Sequence, residues 1–156
     1  MSPVRRAVAA DAQSLTALCL RSKAYWGYDA AFMAKVREEF VVTEDYISKC
    51  PVYVLQAGTA PVGFYGFRMI GNHPFLSDLW IEPAYIGRGF GGMLWRHALG
   101  TARAAGYDHF LIESDPNAEG FYLRMGAERI GEIKSVSTGR MLPLLKIASR
   151  WSARCP

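Results

Sequence analysis

A chain of 156 residues, 51% hydrophobic and 21% charged, has the make-up of one globular domain with a substantial core. No apolar run is long enough to span a bilayer, and the N-terminus "MSPVRRAVAADAQ" lacks a signal-peptide stretch, so a soluble cytoplasmic protein with no membrane partner is expected. The net charge of +4 is spread along the chain; it favours anionic ligands slightly and forms no basic stripe of the nucleic-acid-binding kind.

"PVRRAV" reads as a first strand. Asp11 is an N-cap candidate for a helix with Leu15, Leu18 and Cys19 on one face. Gly27 breaks that helix within "SKAYWGYD", and Asp29 caps a second, "AAFMAKVREEF". Thr43 caps a short turn, "EDYISK". "VYVLQAG" and "PVGFYGFRMIG" flank the turn "GTAP" as a hairpin. "FLSDLWIE" is a fourth strand, stopped by Pro83. A helix follows from about Gly89 to Ala105, ended by Gly106. "HFLIES" is a fifth strand, "NAEGFYLRM" a short helix ended by Gly126, and "ERIGEIK" and "RMLPLLKI" are the last two strands. The fold class is α/β (α+β): a mixed, mostly antiparallel sheet of about seven strands flanked by helices. Residues 1–150 form a single domain and 151–156 a loose tail. Cys19, Cys50 and Cys155 are odd in number and far apart, with neither metal-type spacing nor a disulfide framework. Cys19 is expected in the core and Cys50 at a helix end. No metal is expected.

The segment "PAYIGRGFGGMLWRHAL" carries the strongest chemical signal. Gly87, Gly89, Gly91 and Gly92 crowd the start of a helix, at a cost on the order of 1 kcal/mol each against Ala. Residues without Cβ let the backbone approach a ligand, and successive N–H groups at a helix start make an anion cradle. Gly87, Gly89 and Gly92 spell G-x-G-x-x-G, and Glu113 follows about 20 residues on, as in a nicotinamide-binding unit. Two features oppose that reading. Pro83 to Ile86 intervene between strand and glycine, and the preceding strands form hairpins rather than a βαβ half-fold. No Lys-Ser/Thr pair follows the glycines, so the Walker pattern fails as well.

"DLWIEPAYIGRGFGGMLWRHAL" followed by "LIESDPNAEGFYLRMGAERIGE" resembles the GNAT family of acetyl-CoA-dependent N-acetyltransferases. In that family a strand ending in hydrophobic-x-Pro leads to Q/R-x-x-G-x-G/A, and a later N-x-x-A/G-x-x-F/Y-Y helix supplies an Asn and a Tyr. The loop maps to Ile86, Gly87, Arg88, Gly89, Phe90 and Gly91, with Gly92 beside it; the later motif maps to Asn117, Gly120, Phe121 and Tyr122. The resemblance runs from about Val4 to Ile147 and is strongest from Asp78 to Gly131. The usual Gln or Arg of the loop falls on Ile86, and Arg88, two residues on, is its candidate replacement.

The resemblance implies that the fourth and fifth strands splay apart around pantetheine. Backbone groups of Leu79, Trp80 and Ile81 would pair with it, the glycine loop would hold the pyrophosphate, and Asn117 would anchor the coenzyme side. Tyr122 would be the general acid for the departing thiolate. By strand alternation Asp78, Trp80 and Glu82 share a face opposite Leu79 and Ile81, which read as core. Asp78 is then the better base, with Glu113 and Glu82 as alternatives. Tyr25, Trp26 and Tyr28, with Asp78 and Glu82, are candidates for the acceptor site, where ring faces can hold an ammonium; a hydrophobic staple between two helices is the bland alternative. The histidines, His73, His97 and His109, read as structural or surface groups. The implied activity is transfer of the acetyl group of acetyl-CoA to a primary amine of a small molecule or protein. The alternative is a non-catalytic sensor of coenzyme A or its esters with the same fold. A homodimer is left open.

Overall fold

The computed structural model of the protein describes residues 3–149. Its elements are β1 (Val4–Arg6), α1 (Ala12–Ala24), α2 (Ala30–Val36), α3 (Glu44–Lys49), β2 (Val52–Ala57), β3 (Ala60–Ile70) and β4 (His73–Ile81). Then come α4 (Phe90–Ala104), β5 (His109–Glu113), α5 (Glu119–Arg124), β6 (Glu128–Lys134) and β7 (Met141–Ala148). The tail expected at 151–156, with Cys155, lies outside the described residues.

The strands form one sheet in the order β1-β2-β3-β4-β5-β7-β6. Every neighbouring pair is antiparallel except β4 and β5, which run parallel. The sheet is thus mixed and mostly antiparallel, with seven strands, as expected. Its two faces carry separate cores. On one, α4 packs Leu94, Trp95, Ala98 and Leu99 against Phe67, Phe110, Ile112 and Leu145. On the other, Leu15, Leu18 and Cys19 of α1 meet Ile47, Val52, Val54 and Phe64.

Local signals account for most boundaries. The Asp29 carboxylate accepts from Phe32 N at 2.8 Å and Thr43 Oγ1 from Tyr46 N at 3.0 Å, each satisfying an N–H that the helix start leaves free. The segment after Thr43 is a helix rather than the expected turn, and Cys50 is its C-cap. Asp11 departs from expectation. It stands at the start of α1 but does not cap it. Its carboxylate instead accepts from Val8 N at 2.8 Å and pairs with both terminal nitrogens of Arg5 at 2.8 Å, closing the turn before the helix. The second helix is also shorter than expected and stops at Val36.

One irregularity positions the site. Gly66 of β3 pairs with Asp78, but Phe67 pairs with Leu76, so Ser77 is an extra residue in β4. Such a bulge bends the strand and locally breaks its ladder. Between β4 and β5 the sole residue pairing is Phe75 with Leu111. Beyond it the strands part, and the β5-facing edge of Leu79 to Ile81 has no sheet partner among the described residues.

Candidate active site

The parted strands open a cleft of about 740 Å³. Leu79, Trp80 and Ile81 line one wall, Asn117, Gly120, Phe121 and Tyr122 the other, and Ile86, Gly87, Gly89, Gly91 and Gly92 the end at which α4 begins. Leu79 and Ile81 are therefore not pure core: half-buried, they touch the core under α4 and also face the cleft. Gly89 is the N-cap of α4 with φ of +85°, a left-handed conformation that side chains with Cβ disfavour. Free N–H groups at the start of this helix, with the positive end of its dipole, suit an anion.

Of the loop's side chains, two point elsewhere. Arg88 is exposed, its guanidinium 5.1 Å from the Tyr85 ring centroid, and Phe90 packs on Tyr85 at 5.8 Å and joins the core. Neither lines the cleft. The cations that do line it are Arg96 and Arg124. Each stands four residues after a glycine, on the same helix face. An added Cβ on Gly92 would lie 3.4 Å from Arg96 Nη1, and one on Gly120 would lie 3.4 Å from Arg124 Nη1. That spacing was the available sequence signal for both arginines.

Tyr122 is buried, its ring 5.7 Å from that of Trp95. Its hydroxyl makes no hydrogen bond to any described residue. Burial raises its pKa well above that of an ordinary phenol, and the charges of Asp78 and Asp115 push the same way. The group therefore holds its proton.

A second cavity, of about 190 Å³, shares Leu76, Ser77, Trp80, Glu113 and Asp115 with the cleft. The two meet at the bulge. Asp78 lines this smaller cavity, not the cleft. Its oxygens accept from the Tyr46 hydroxyl at 2.8 Å and Trp80 Nε1 at 2.9 Å. Tyr46, unforeseen from sequence, reaches in because Gly66 has no side chain; a Cβ there would lie 2.0 Å from Tyr46 Oη. Burial raises the Asp78 pKa, against the pull of its two donors and of Arg68. Glu113 is exposed at the junction of the cavities and has no hydrogen bond or ion pair to a described residue. Partial desolvation raises its pKa, Glu39 adds to the rise and Lys23 opposes it.

Beside Glu113 lies a polar cluster centred on Asp115. Lys23 Nζ bonds its carboxylate directly, and both side chains are only 6% exposed. The Tyr28 hydroxyl donates to it at 2.9 Å, Asn117 N at 2.8 Å and Asn117 Nδ2 at 3.0 Å, while Arg140 Nη2 stands 3.7 Å away. Burial raises the Asp115 pKa, but Lys23, Asn117 and Tyr28 outweigh it and hold the carboxyl below its ordinary value. Asn117 thus stands in the cleft wall with its amide directed to Asp115 and Tyr28.

The expected aromatic wall is not one wall. Gly27, at φ of +85°, turns the chain between its members. Tyr25 is 50% exposed and meets Trp26 edge-on at 5.1 Å. Trp26 lines the cleft, and Tyr28 stacks on Phe32 at 4.1 Å with its hydroxyl in the Asp115 cluster. Glu82 also stands apart. Arg21 holds both of its oxygens, at 2.7 and 2.6 Å, and Glu82 lines a third hollow rather than the cleft or the smaller cavity. His97 bonds Tyr65 at 2.7 Å and His73 faces His109 at 3.2 Å; neither arrangement lines the cleft or the smaller cavity. No cluster of three or more metal-ligating side chains occurs among the described residues.

A parallel strand pair that parts before a glycine-started helix is a specific architecture, and residues 20–127 match the model of the acetyltransferase (GNAT) family. The chain belongs to this family. It is 31% identical over 118 residues, 75% of each chain, to peptidyl-lysine N-acetyltransferase YjaB of Salmonella typhimurium strain LT2. Two solved structures share the GNAT fold across nearly the whole chain. One is the GCN5-related N-acetyltransferase (aminotransferase, class II) of Rhodopseudomonas palustris: TM-score 0.77, 18% identity, 95% of this chain and 96% of that one. The other is the PaiA N-acetyltransferase of Thermoplasma acidophilum in complex with coenzyme A: TM-score 0.76, 16% identity, 93% and 97%. As a GNAT member the chain is an acetyltransferase by family. No helix among its described residues is long and apolar enough to cross a membrane.

Proposed function

We propose that this GNAT protein moves the acetyl group of acetyl-CoA to a primary amine of a small molecule or protein, in the cytoplasm. The observation that carries the reading is the continuous path from the Gly89 helix start, along the unpaired edge of β4, to Glu113 and the smaller cavity. Acetyl-CoA supplies an activated thioester; everything else falls to the chain. Backbone N–H groups from Gly87 to Gly92 hold phosphate, with Arg96 and Arg124 as the side-chain cations. The edge from Leu79 to Ile81 offers the pantetheine hydrogen bonds that β5 would otherwise occupy. Tyr122 protonates the leaving sulfur. For the amine proton, Glu113 is the better acceptor, since both oxygens of Asp78 already accept from side-chain donors, Tyr46 and Trp80. The amine enters from the smaller cavity.

The direct test is incubation with acetyl-CoA and amine acceptors, reading free thiol. Amine-dependent release at a catalytic rate supports the reading. Tight acetyl-CoA binding with no release for any acceptor would instead favour a sensor of the same fold.

Gly89→Val should raise the acetyl-CoA Kd by well over tenfold, a loss of at least about 1.4 kcal/mol. The φ of +85° is strained for a β-branched residue, so the helix start and its N–H groups must shift. Calorimetry on the folded variant is the check; an unchanged Kd would remove the loop from the binding site.

Glu113→Gln should act on the pH–rate profile. A base works when deprotonated, so the wild-type rate climbs as pH rises through the Glu113 pKa, which lies above the ordinary carboxylate value. The variant should lose that limb and fall toward the low end of the roughly 10²–10⁴-fold that general-base catalysis supplies. Retention of the limb would return the role to Asp78.

A further inference from the structure

We propose that the acceptor is a free amino acid with an apolar side chain, its carboxylate read by Arg68 and Arg140. The inference rests on the acetyl-transfer reading above and names the substrate class of the same site.

Size comes first. At about 190 Å³ the acceptor cavity lies below the roughly 300–1,000 Å³ of pockets that take drug-sized ligands. Three cations line it: Lys23, Arg68 and Arg140. Lys23 is paired with Asp115. Arg68 is half-buried and makes neither hydrogen bond nor ion pair with a described residue; its guanidinium carbon lies 3.7 Å from the Tyr46 ring centroid. Arg140 donates from Nη1 to the Tyr28 hydroxyl at 3.1 Å and its Nη2 stands 3.7 Å from Asp115, which leaves its Nε with no partner among the described residues. Two guanidiniums with unused donors on one small cavity match the planar oxygen pair of a carboxylate.

The opposite sign stands at the other requirement. Glu113 has no partner among the described residues and sits where the cavity meets the cleft, so it draws the ammonium to the side from which the acetyl group arrives. Phe40, Ile70, Phe75 and Leu142 supply an apolar lining for the remaining side chain. A lysine side chain of a peptide would satisfy Glu113 but leave Arg68 with neither hydrogen bond nor ion pair to a described residue, and Arg140 with only its 3.7 Å approach to Asp115.

The transfer balances. The ammonium gives one proton to Glu113, which later passes it to water. The freed nitrogen forms its bond to the acetyl carbon as the carbon–sulfur bond breaks. Sulfur takes the Tyr122 proton, and the second nitrogen proton restores Tyr122. The products are the N-acetyl amino acid, coenzyme A thiol and one proton.

The test compares L-leucine, L-methionine and L-phenylalanine with their carboxamides and with a blocked lysyl peptide, in a thiol-release assay with saturating acetyl-CoA. At least one free acid should exceed its carboxamide in kcat/KM by roughly tenfold or more, the scale of a charge-assisted hydrogen bond. Arg68→Gln should erase that preference, mainly through KM, while the acetyl-CoA Kd stays unchanged. Equal use of acid and carboxamide, or preference for the lysyl peptide, would overturn the carboxylate reading and leave acetyl transfer standing. Acetylation of no amine at all, with acetyl-CoA bound, would fail the parent reading and this one with it.

Discussion

Tyr122→Phe should lower kcat by roughly 10²–10⁴-fold while acetyl-CoA affinity changes little. Tyr122 lines the cleft and its hydroxyl has no hydrogen-bond partner among the described residues, so its removal strands no donor or acceptor among them. The ring still packs on Trp95 and Phe121, and the melting temperature should hold. The raised pKa keeps the phenol protonated across the working range, which a proton donor needs. Without it the thiolate departs unassisted. A thiol-release assay beside acetyl-CoA calorimetry separates the two effects. Wild-type turnover in a folded variant would leave Tyr122 as a packing aromatic.

Asp115→Ala should destabilise the protein by about 3–5 kcal/mol, because it leaves the Lys23 ammonium buried and uncompensated. The same change releases Tyr28 and Asn117 from a shared acceptor. A double replacement, Lys23→Met with Asp115→Leu, should recover much of the loss, since an apolar pair leaves no orphan charge. The pH dependence has a defined sign. The Asp115 carboxyl is held below its ordinary value, so its contribution is complete above the unfolded value of about 3.9 and is lost as pH falls through the lower folded one. Asp115→Asn should remove that portion of the acid dependence. Melting curves across pH measure both effects. An Asp115→Ala melting temperature equal to that of the native chain would show that the pair adds nothing.

What could be read from the sequence was local. The glycine loop, the Asn117–Tyr122 motif, the caps at Asp29 and Thr43 and the strand count all depend on neighbours a few residues apart. What escaped was set by contacts across the chain. Lys23, on a helix, looks like a solvated charge until Asp115, 92 positions away, meets it inside. Glu82 looks like a strand-end acid near the chemistry until Arg21, 61 positions away, takes both oxygens. The Ser77 bulge has no glycine or proline beside it in β4 to announce it; it is fixed by the register of β4 on β3, where Gly66 stands opposite, and it sets Asp78 against Tyr46. Simple alternation still put Asp78 and Trp80 on one face, opposite Leu79 and Ile81. It missed that a strand without a partner shows its apolar side to a cleft as well as to a core. Arg140 belongs to the turn before the last strand, and only the order β5-β7-β6 returns it to the site.

The central claim is that acetyl-CoA lies between β4 and β5 with its phosphates at the start of α4. Backbone amide NMR during an acetyl-CoA titration tests it directly. The resonances of Ile86 to Gly92 and of Leu79 to Ile81 should move together, with one common Kd, while those of β1 and β2 stay in place. Saturating acetyl-CoA that leaves both segments unmoved, or shifts only residues away from the cleft, would contradict it.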